Sequence, residues 1–486
     1  MSIDVSTKTY NTFYINGEWV EDADRESVPV LDPSTEETIA HIQRATLADA
    51  KSAIEGAQAA FKDGAWPGLT FAERAGYLSR MADLIDSRLD EFADIYINDQ
   101  GGLASFAGFI GQQASNIVRY YAELGASYPE GPQTREIPGG RVLINELPVG
   151  PVFASVPWNA PLILGVVKIA PALLAGCPVV VKMAPEAPLA AYVMAEIFAE
   201  LGLPPGVISL IIGGREVGDY LTRHPDIAHV SFTGSTQVGR EVAKAATEHF
   251  ARLTLELGGK GASIFLDDIN PEDAAAFIYP SSMSQSGQVC TTSSRLLVPE
   301  SRYEEWKASL VNTFNAYKVG DPRDADTLVG PLISAKQRAT VEEYIASARE
   351  EGATILTGGG RPANLERGFY IEPTLVTDVT RDMRVVREEV FGPVITLQSY
   401  STEDEAVAMA NDTSYGLANV IITNDTDRAI ELAPRLRSGT VSINNFGACL
   451  TQPFGGFGDS GVGREGGPEG LQAYFETQQI QFPAAH

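Results

Sequence analysis

The stretch from about residue 150 to residue 257 constrains the fold most, because short apolar runs alternate there with helical patterns. Buried parallel strands form continuous apolar runs, and the helices between them cover both faces of the sheet. The pattern therefore predicts an α/β protein with a doubly wound parallel sheet of the nucleotide-binding type. We predict strands at 151–156, 178–181, 207–212, 229–232 and 253–256, and helices at 161–174, 189–201, 217–221 and 237–246.

The segments on either side of this stretch have patterns of their own. Residues 45–125 are predicted to be mostly helical, for example from Ala72 to Ile97, and Asn16-Gly17 between apolar runs predicts a hairpin. Residues 259–445 are predicted to form a second α/β unit. Its predicted elements are helices at 303–315 and 335–350 and strands near 394–397, 419–423 and 439–443.

Charge and composition limit the partners of the chain. Its 486 residues carry a formal net charge of −27, which disfavours binding to nucleic acid or to an anionic membrane surface. Hydrophobic residues make up 44%, without an apolar run long enough to span a bilayer. With three cysteines and no secretory signal in the first residues, we expect a cytoplasmic protein without disulfides. The five histidines are scattered, so we expect no metal site.

Polar residues follow four of the predicted strands. Asn159, Lys182, Ser235 and Glu256 lie at strand ends or just after them. Ligands of an open parallel sheet bind outside the carboxyl ends of its strands, so we expect these side chains to line one site. Taken singly, Asn159 also fits a turn residue and Lys182 a solvated strand end. The segment 234–239 opens a helix, whose free N–H groups favour a pyrophosphate.

Cys290, 34 residues after Glu256, is the candidate nucleophile. A thiol with an ordinary pKa of about 8.5 is mostly protonated at neutral pH, so nucleophilic attack needs a nearby base or cation. A carboxylate at the end of a buried strand is desolvated, which raises its pKa towards that of a useful base. The alternative is that Cys290 is a small buried apolar residue and that Glu256 faces water.

Two strand-like segments, 128–148 and 475–482, belong to neither predicted sheet. Exposed strand edges usually need another chain to pair with, so these segments predict a small β oligomerisation arm and a homodimer or homotetramer. We therefore predict a dinucleotide-binding domain, a catalytic domain that carries Cys290, and the arm. The predicted boundaries are 1–125 with 149–257, then 258–460, then 126–148 with 470–486.

Six motifs occur in a fixed order along almost the whole chain. They are Pro157-Trp-Asn-Ala-Pro161, Phe232-Thr-Gly-Ser-Thr236, Leu255-Glu-Leu-Gly-Gly-Lys260, Gly287-Gln-Val-Cys290, Glu388-Glu-Val-Phe-Gly-Pro393, and Pro453-Phe-Gly-Gly-Phe457 with Ser460-Gly-Val-Gly-Arg464. Together they resemble the motifs of the aldehyde dehydrogenase superfamily. The hydrolytic members of that superfamily use NAD(P) to oxidise aldehydes to carboxylic acids.

The resemblance implies catalytic roles for four residues. Cys290 would attack the aldehyde to give a thiohemiacetal, and Asn159 with the backbone N–H of Cys290 would stabilise the oxyanion. Hydride transfer to the nicotinamide would leave a thioester, and Glu256 would activate the water that hydrolyses it. Lys168 matches a family lysine that assists proton transfer near Glu256.

The resemblance also implies a cofactor site for NAD, with NADP as a usable alternative. Many NAD-preferring relatives carry a Glu three residues after the lysine that Lys182 matches, but this chain has Pro185 there and Glu186 one place later. Repulsion of a 2′-phosphate is thereby weakened, which leaves the cofactor preference open. Trp158, Lys182, Gly234 and Ser235 match the family's adenosine and pyrophosphate contacts, whereas Glu389 and Phe391 match residues that position the nicotinamide ribose and ring. The predicted cofactor-binding residues are Trp158, Lys182, Glu186, Gly214, Gly218, Phe232, Gly234, Ser235, Leu257, Glu389 and Phe391.

The family's substrate tunnel maps onto residues that are small or apolar and uncharged. That composition favours an uncharged aldehyde, aromatic or medium-chain aliphatic, as the small-molecule substrate. The predicted pocket residues are Ala160, Leu164, Val167, Val289, Thr291, Phe446 and Cys449.

Two alternatives compete with a hydrolytic dehydrogenase. CoA-acylating relatives commonly lack the glutamate base, so Glu256 argues against that activity. A binding or structural protein that kept the fold and lost the activity is disfavoured by the intact Cys290, Asn159 and Lys168.

Overall fold

The computed structural model describes residues 8–138, 140–273, 275–447 and 449–482. The first residues, in which we expect no secretory signal, lie outside the described ranges, as do Ala448 of the predicted substrate loop, residue 139 and the last four residues of the predicted arm. None of the helices in these four ranges combines the length and the hydropathy that a membrane crossing requires.

The strands and helices are numbered here in chain order. The strands are β1 (Lys8–Tyr10), β2 (Thr12–Ile15), β3 (Glu18–Glu21), β4 (Ser27–Leu31), β5 (Thr38–Gln43), β6 (Gln133–Ile137), β7 (Gly140–Pro148), β8 (Val152–Val156), β9 (Val179–Met183), β10 (Ile208–Ile212), β11 (His229–Thr233), β12 (Arg252–Glu256), β13 (Gly261–Phe265), β14 (Ser293–Pro299), β15 (Thr354–Thr357), β16 (Thr374–Thr377), β17 (Val394–Tyr400), β18 (Ala418–Ile422), β19 (Thr440–Ile443), β20 (Gly461–Val462) and β21 (Phe475–Gln481). The α-helices are α1 (Leu47–Asp63), α2 (Phe71–Asp86), α3 (Leu89–Gln100), α4 (Ala104–Ala126), α5 (Pro161–Ala175), α6 (Leu189–Leu201), α7 (Arg215–Arg223), α8 (Thr236–Thr247), α9 (Ala275–Ile278), α10 (Tyr303–Ala316), α11 (Ala335–Glu350), α12 (Arg384–Arg387), α13 (Glu403–Asn411), α14 (Thr426–Leu432) and α15 (Gly467–Gln472).

The first large sheet has the strand order β20-β12-β11-β8-β9-β10-β2-β3. Strands β12, β11, β8, β9 and β10 run parallel, and β8, the earliest of them, lies between β11 and β9. Reversal of the strand order on the two sides of β8 is the doubly wound arrangement. The predicted strands, intervening helices and α/β class are confirmed, because these apolar runs are buried between helices on both faces. The Asn16-Gly17 hairpin is also confirmed, as β2 and β3.

The second large sheet has the strand order β15-β16-β17-β14-β13-β18-β19, and all neighbours from β16 to β19 run parallel. The predicted second α/β unit is therefore confirmed, including α10, α11 and the strands β17, β18 and β19. Its apolar core contains the fully buried Trp306, which packs on Phe265 of β13 with ring centroids 4.7 Å apart.

A small sheet stands apart from both large sheets. Its order is β21-β7-β6, and β21 pairs antiparallel with β7 from Phe475 opposite Pro148 to Gln481 opposite Val142. The prediction that these segments join neither large sheet is confirmed. Their pairing with each other was not predicted, because register between strands far apart in sequence has no local signal. The domain boundaries stay a prediction.

The prediction that residues 45–125 are mostly helical is confirmed, and the stretch from Ala72 to Ile97 consists of two helices, because the chain breaks between α2 and α3 at Ser87 and Arg88. Oγ of Ser87 donates to the Leu84 carbonyl over 2.7 Å, and Arg88 has a φ of −122°, outside the helical region. The acidic Asp90 and Glu91 then occupy the first turn of α3, where the helix dipole favours negative charge. Local polar capping therefore interrupts a continuous apolar periodicity.

Candidate active site

At the candidate site, the carboxyl ends of strands in the first large sheet face the amino ends of strands in the second. Strand β12 ends at Glu256 and β13 begins a few residues later, so the carboxyl edge of the first sheet faces the amino edge of the second. Asn159 follows β8 at the first edge, while Cys290 precedes β14 and Glu389 precedes β17 at the second. A cleft of about 280 Å³ lies between the edges and brings Asn159, Cys290 and Glu389 together.

We call this cleft the catalytic cleft, after the predicted role of Cys290. Helix α11 forms a further part of its wall. The cleft lining consists of Pro157, Trp158, Asn159, Thr233, Gly234, Ser235, Leu257, Gly258, Cys290, Gln337, Thr340, Tyr344, Glu389, Val390 and Phe391. Gln337, Thr340 and Tyr344 were missed from the sequence. The polar face of an amphipathic helix has the same pattern whether it lines a cleft or faces water.

The backbone just before Cys290 has an unusual conformation. Gln285 and Ser286 have positive φ angles of 51° and 56°, and Gly287 follows at 72°. A Cβ on Gly287 would lie 2.3 Å from the Gly392 carbonyl oxygen, so this position requires glycine. The loop therefore packs directly against the chain that carries Glu389, and Cys290 is half-buried in the cleft.

Burial raises the pKa of Cys290 to about 12, and the neighbouring carboxylates of Glu389 and Glu256 contribute to the rise. The backbone N–H groups of Cys290 and Thr291 act in the opposite direction. Without a further positive charge or proton acceptor, the side chain is a neutral thiol at physiological pH. Attack by the sulfur therefore first requires removal of the thiol proton.

Asn159 is fixed against the Cys290 loop from both of its ends. Its side-chain Nδ2 donates to the backbone carbonyl of Gln288 over 3.1 Å. Its backbone carbonyl accepts a hydrogen bond from Nε2 of the Gln285 side chain. An amide nitrogen carries two N–H donors, so one remains for a ligand in the cleft. The structure thus brings Asn159 and Cys290 to one site, as predicted for an oxyanion donor and a nucleophile.

Glu256 is 3% exposed, and neither of its carboxylate oxygens has a hydrogen-bond partner among the described residues. Burial raises its pKa well above the ordinary value, and the nearby Glu465 raises it further. Lys168 and Arg464 partly oppose this rise. An unpartnered buried carboxylate with a raised pKa has the electrostatics expected of a general base.

Lys168 is fully buried, and its Nζ donates to Oγ1 of Thr233 over 2.7 Å and to the carboxylate of Glu465. Ser231 also donates to Glu465, over 3.1 Å. Glu465 was missed from the sequence, although it directly follows Arg464, the last residue of the last motif. A charged residue in a glycine-rich loop normally faces water, and only the fold places this one beside Lys168.

Five of the predicted cofactor-binding residues line a second cleft, of about 260 Å³, at the carboxyl edge of the first sheet, which we call the adenosine cleft after its predicted ligand. Lys182, Glu186, Gly214, Gly218 and Phe232 all belong to it. Trp158, Gly234 and Ser235, also matched to adenosine or pyrophosphate contacts, line the first cleft instead. Nζ of Lys182 donates to the Gly213 carbonyl over 3.0 Å. Burial lowers the pKa of Lys182 to about 8, an effect that Glu186 partly opposes.

The amino terminus of α8 lies between the two clefts. Ser235 caps this helix by accepting a hydrogen bond from the Val238 N–H over 3.4 Å. Gly234 and Ser235 line the catalytic cleft, while Phe232 and Val238 line the adenosine cleft. A dinucleotide has two nucleosides joined by a pyrophosphate, and this pair of clefts joined by a helix amino terminus fits such a molecule.

Several residues predicted to hold the nicotinamide half lie on the catalytic cleft. Oε1 of Glu389 accepts the Gly259 N–H over 3.0 Å, and burial raises the pKa of Glu389 to about 7. Phe391 packs edge-to-face on Trp158 with ring centroids 5.4 Å apart. Gln337 holds this segment from α11, because its Nε2 donates to the Phe391 carbonyl over 2.9 Å.

The predicted substrate residues are less clearly assembled. Ala160 directly precedes α5, Leu164 lies in the first turn of this helix, the buried Val167 follows in it, and Val289 and Thr291 flank Cys290. Phe446 is half-buried and Cys449 is exposed, with its Sγ 3.3 Å from the Thr451 hydroxyl. None of these residues is part of the lining of the catalytic cleft. Their role in substrate binding stays a prediction.

Within the four described ranges, no group of three or more His, Cys, Asp or Glu residues is arranged to hold a metal ion. The doubly wound sheet, the two joined clefts and the half-buried cysteine define the class of the chain. It is an α/β protein of the kind that binds a dinucleotide beside a cysteine.

Comparison with known proteins identifies the family. The model of the aldehyde dehydrogenase family matches residues 19–480, and the chain belongs to that family. Geranial dehydrogenase of Castellaniella defragrans is 39% identical, over 98% of this chain and 99% of the geranial dehydrogenase chain. Betaine aldehyde dehydrogenase of Bacillus subtilis is 38% identical over 96% of both chains. The crystal structure of a Mycobacterium tuberculosis aldehyde dehydrogenase complexed with NAD+ has a TM-score of 0.95 at 40% identity, over 99% of this chain and 100% of that one.

Proposed function

We propose that the chain oxidises an uncharged, hydrophobic aldehyde to its carboxylic acid with NAD as hydride acceptor. The observation that carries this proposal is the common cleft of Cys290, Asn159 and Glu389, with the charge of Glu256 acting on the thiol. The Cys290 thiol releases its proton to solvent, its sulfur attacks the carbonyl carbon, and the carbonyl electron pair moves to the oxygen. The free N–H of Asn159 and the backbone N–H of Cys290 then stabilise the oxyanion.

A bound nicotinamide dinucleotide supplies the hydride acceptor. Loss of a hydride from the thiohemiacetal carbon leaves a thioester on Cys290. Glu256 accepts a proton from a water molecule as the water attacks the thioester carbon, and the Cys290 thiolate leaves. Lys168 and Glu465, behind Glu256, set the electrostatics of this base. Direct support would come from formation of NADH on addition of aldehyde to the purified protein.

The residues predicted to line the substrate tunnel support an uncharged substrate. Recognition of a quaternary ammonium relies on a cage of aromatic faces, and Phe446 is the single aromatic side chain of the predicted set. The similarity to a geranial dehydrogenase agrees with this, whereas relatives named for betaine aldehyde and aminoaldehydes are almost as similar. Sequence identity therefore does not separate the two substrate classes.

A matched pair of aldehydes tests the substrate class. Betaine aldehyde and 3,3-dimethylbutanal have the same shape and differ in a charged nitrogen against a neutral carbon. We expect kcat/KM to favour the neutral aldehyde by at least about tenfold, since a cation loses hydration in an apolar tunnel. A preference for betaine aldehyde would contradict the proposal.

The cofactor preference follows from the adenosine cleft. Pro185 stands where a carboxylate often binds the ribose hydroxyls, and the exposed Glu186 lies next to it, near Lys182. We propose that NAD is preferred but that NADP is used, with kcat/KM values about ten- to a hundredfold apart. A preference for NAD above about ten-thousandfold would contradict this, as would a preference for NADP.

We also propose a homodimer or homotetramer in the cytoplasm. Strand β6 is exposed along its whole length, and large apolar side chains are exposed at Ile137 and Leu147 of the small sheet and at Phe482 just after β21. Among the described residues, the edge strand β19 of the second sheet pairs only with β18, so its other side offers an edge for such an arm. Light scattering at micromolar concentration tests the assembly, and a mass near the single-chain value of 52.0 kDa would contradict it.

A further inference from the structure

The adenosine cleft contains an ion pair that the predicted cofactor site does not include. Arg215 begins α7 and Glu241 lies on α8, and Nη2 of Arg215 donates to Oε2 of Glu241 over 2.7 Å. Both side chains line the cleft together with Lys182 and Glu186. The Arg215 side chain is 80% exposed and that of Glu241 is 47% exposed, so water can replace either partner.

The turn before α7 places Arg215 beside Lys182. Nζ of Lys182 donates to the carbonyl of Gly213, two residues before Arg215. Gly218, in the first half of α7, lies against the lysine chain, because a Cβ there would be in van der Waals contact with Cε of Lys182 at 3.4 Å. The Lys182 ammonium from β9 and the Arg215 guanidinium from α7 therefore both lie at this wall of the cleft.

The remaining acid of the cleft is bound elsewhere. Both carboxylate oxygens of Asp219 accept hydrogen bonds from Nε of Arg223, over 3.1 and 3.0 Å. Arg223 also donates to Glu248, which lies just beyond α8 and is not part of the cleft lining. Glu241 is thus the acid that neutralises Arg215.

We propose that Glu241 limits the use of NADP by holding Arg215, and that a 2′-phosphate replaces the Glu241 carboxylate on the Arg215 guanidinium. A guanidinium binds phosphate and carboxylate with the same two-pronged geometry, so one anion can take the place of the other. Lys182 supplies a second positive charge to the phosphate. NAD has a 2′-hydroxyl in that position and leaves the ion pair closed. This inference rests on the proposed dinucleotide site.

Calorimetric binding of two adenosine nucleotides to the full chain tests the inference without any turnover. Adenosine 2′,5′-bisphosphate carries the additional phosphate, and adenosine 5′-monophosphate does not. We expect Glu241→Gln to raise the affinity for the bisphosphate about two- to fivefold, because Arg215 is released from an exposed pair. We expect Arg215→Gln to lower that affinity about tenfold. Affinity for the monophosphate should stay within about twofold in both variants.

Glu248→Gln is the matched control. Glu248 pairs with Arg223 of α7 over 2.9 Å, and this acid lies just after α8. The substitution therefore removes one acidic partner of an arginine, as Glu241→Gln does, but outside the cleft lining. An equal gain in bisphosphate affinity from Glu248→Gln and Glu241→Gln would reflect net charge alone and would overturn the inference. A loss of monophosphate affinity in Glu241→Gln would overturn it too, because Glu241 would then bind the ribose. Absence of aldehyde oxidation by the wild-type chain would count against the proposed function, and the nucleotide-binding result would still stand.

Discussion

Lys168 and Glu465 are separated by 297 residues in the sequence, yet they form a fully buried ion pair directly behind the candidate base Glu256. The negative charge of Glu465 raises the pKa of Glu256, and the positive charge of Lys168 lowers it. The pair therefore balances two opposite effects on one carboxylate. Removing either partner should move the titration of Glu256 in a direction that can be stated in advance.

We expect Glu465→Gln to lower the pKa of Glu256, because a negative neighbour is lost and the charge of Lys168 is no longer compensated. The acid limb of the pH–rate profile for thioester hydrolysis should move to lower pH. Lys168→Met should have the opposite effect, because loss of the positive charge raises the pKa of Glu256 and moves the same limb to higher pH. Both variants should also lose about 3–5 kcal/mol in the free energy of unfolding, because each leaves a buried charge unpaired. Limbs that move in the same direction in both variants would contradict the assignment.

Cys290→Ala should abolish aldehyde oxidation, because the covalent bond to the substrate cannot form. Affinity for NAD should stay within about twofold, since the thiol is only one of the many groups that line the catalytic cleft. NADH absorbance measures the first effect, and the quenching of protein fluorescence on addition of NAD measures the second. Steady turnover by this variant would rule out Cys290 as the nucleophile.

Glu256→Gln should stop thioester hydrolysis before it stops formation of the thioester. The amide is nearly isosteric with the carboxylate but cannot accept a proton from water. A single burst of NADH without steady turnover is expected, together with an acyl adduct on Cys290 in the mass spectrum. If no adduct accumulates in the presence of aldehyde and NAD, Glu256 is not the hydrolytic base.

Gly287→Ala should impair both folding and activity. The residue has a φ of +72°, and a Cβ there would lie 2.3 Å from the Gly392 carbonyl oxygen. Gly64→Ala is the control, because Gly64 has a similar φ of +78° but no atom within 4 Å of the added Cβ. The control should cost about 1 kcal/mol of stability and retain activity, whereas Gly287→Ala should also displace the Cys290 loop. Equal losses of activity in the two variants would show that the close approach is unimportant.

His229 should make stability depend on pH in the acidic range. It is buried between the Ala473 carbonyl at 3.0 Å and the Thr254 hydroxyl at 3.1 Å, and burial lowers its pKa from 6.5 to about 4. Between these values unfolding takes up a proton, so stability falls as the pH drops from 6.5 towards 4 and is unaffected by this group above 6.5. The loss approaches about 3 kcal/mol. His229→Gln should flatten urea-derived stability over this range, and replacement of the exposed His41 should not.

The local pattern of the sequence predicted a large part of this fold. Strands β8 to β12 and the helices between them lie where apolar runs and helical periodicity place them. The same pattern put Asn159 and Glu256 at strand ends, and parallel strands necessarily bring their carboxyl ends to one edge. Cys290 was assigned through a motif that resembles a family, because a single cysteine has no chemical signature of its own in a sequence.

Tertiary structure alone decided the rest. Nothing near Glu465 in the chain distinguishes it from a surface carboxylate, and its partner Lys168 lies in another segment of the sequence. The pairing of β21 with β7 also joins segments that are distant in the sequence, and so does the Arg215–Glu241 ion pair between α7 and α8. Periodicity and capping are encoded by neighbouring residues, so a sequence determines where helices and strands lie. The contacts that set a pKa or close a cleft join distant residues, and they exist only after the elements have packed.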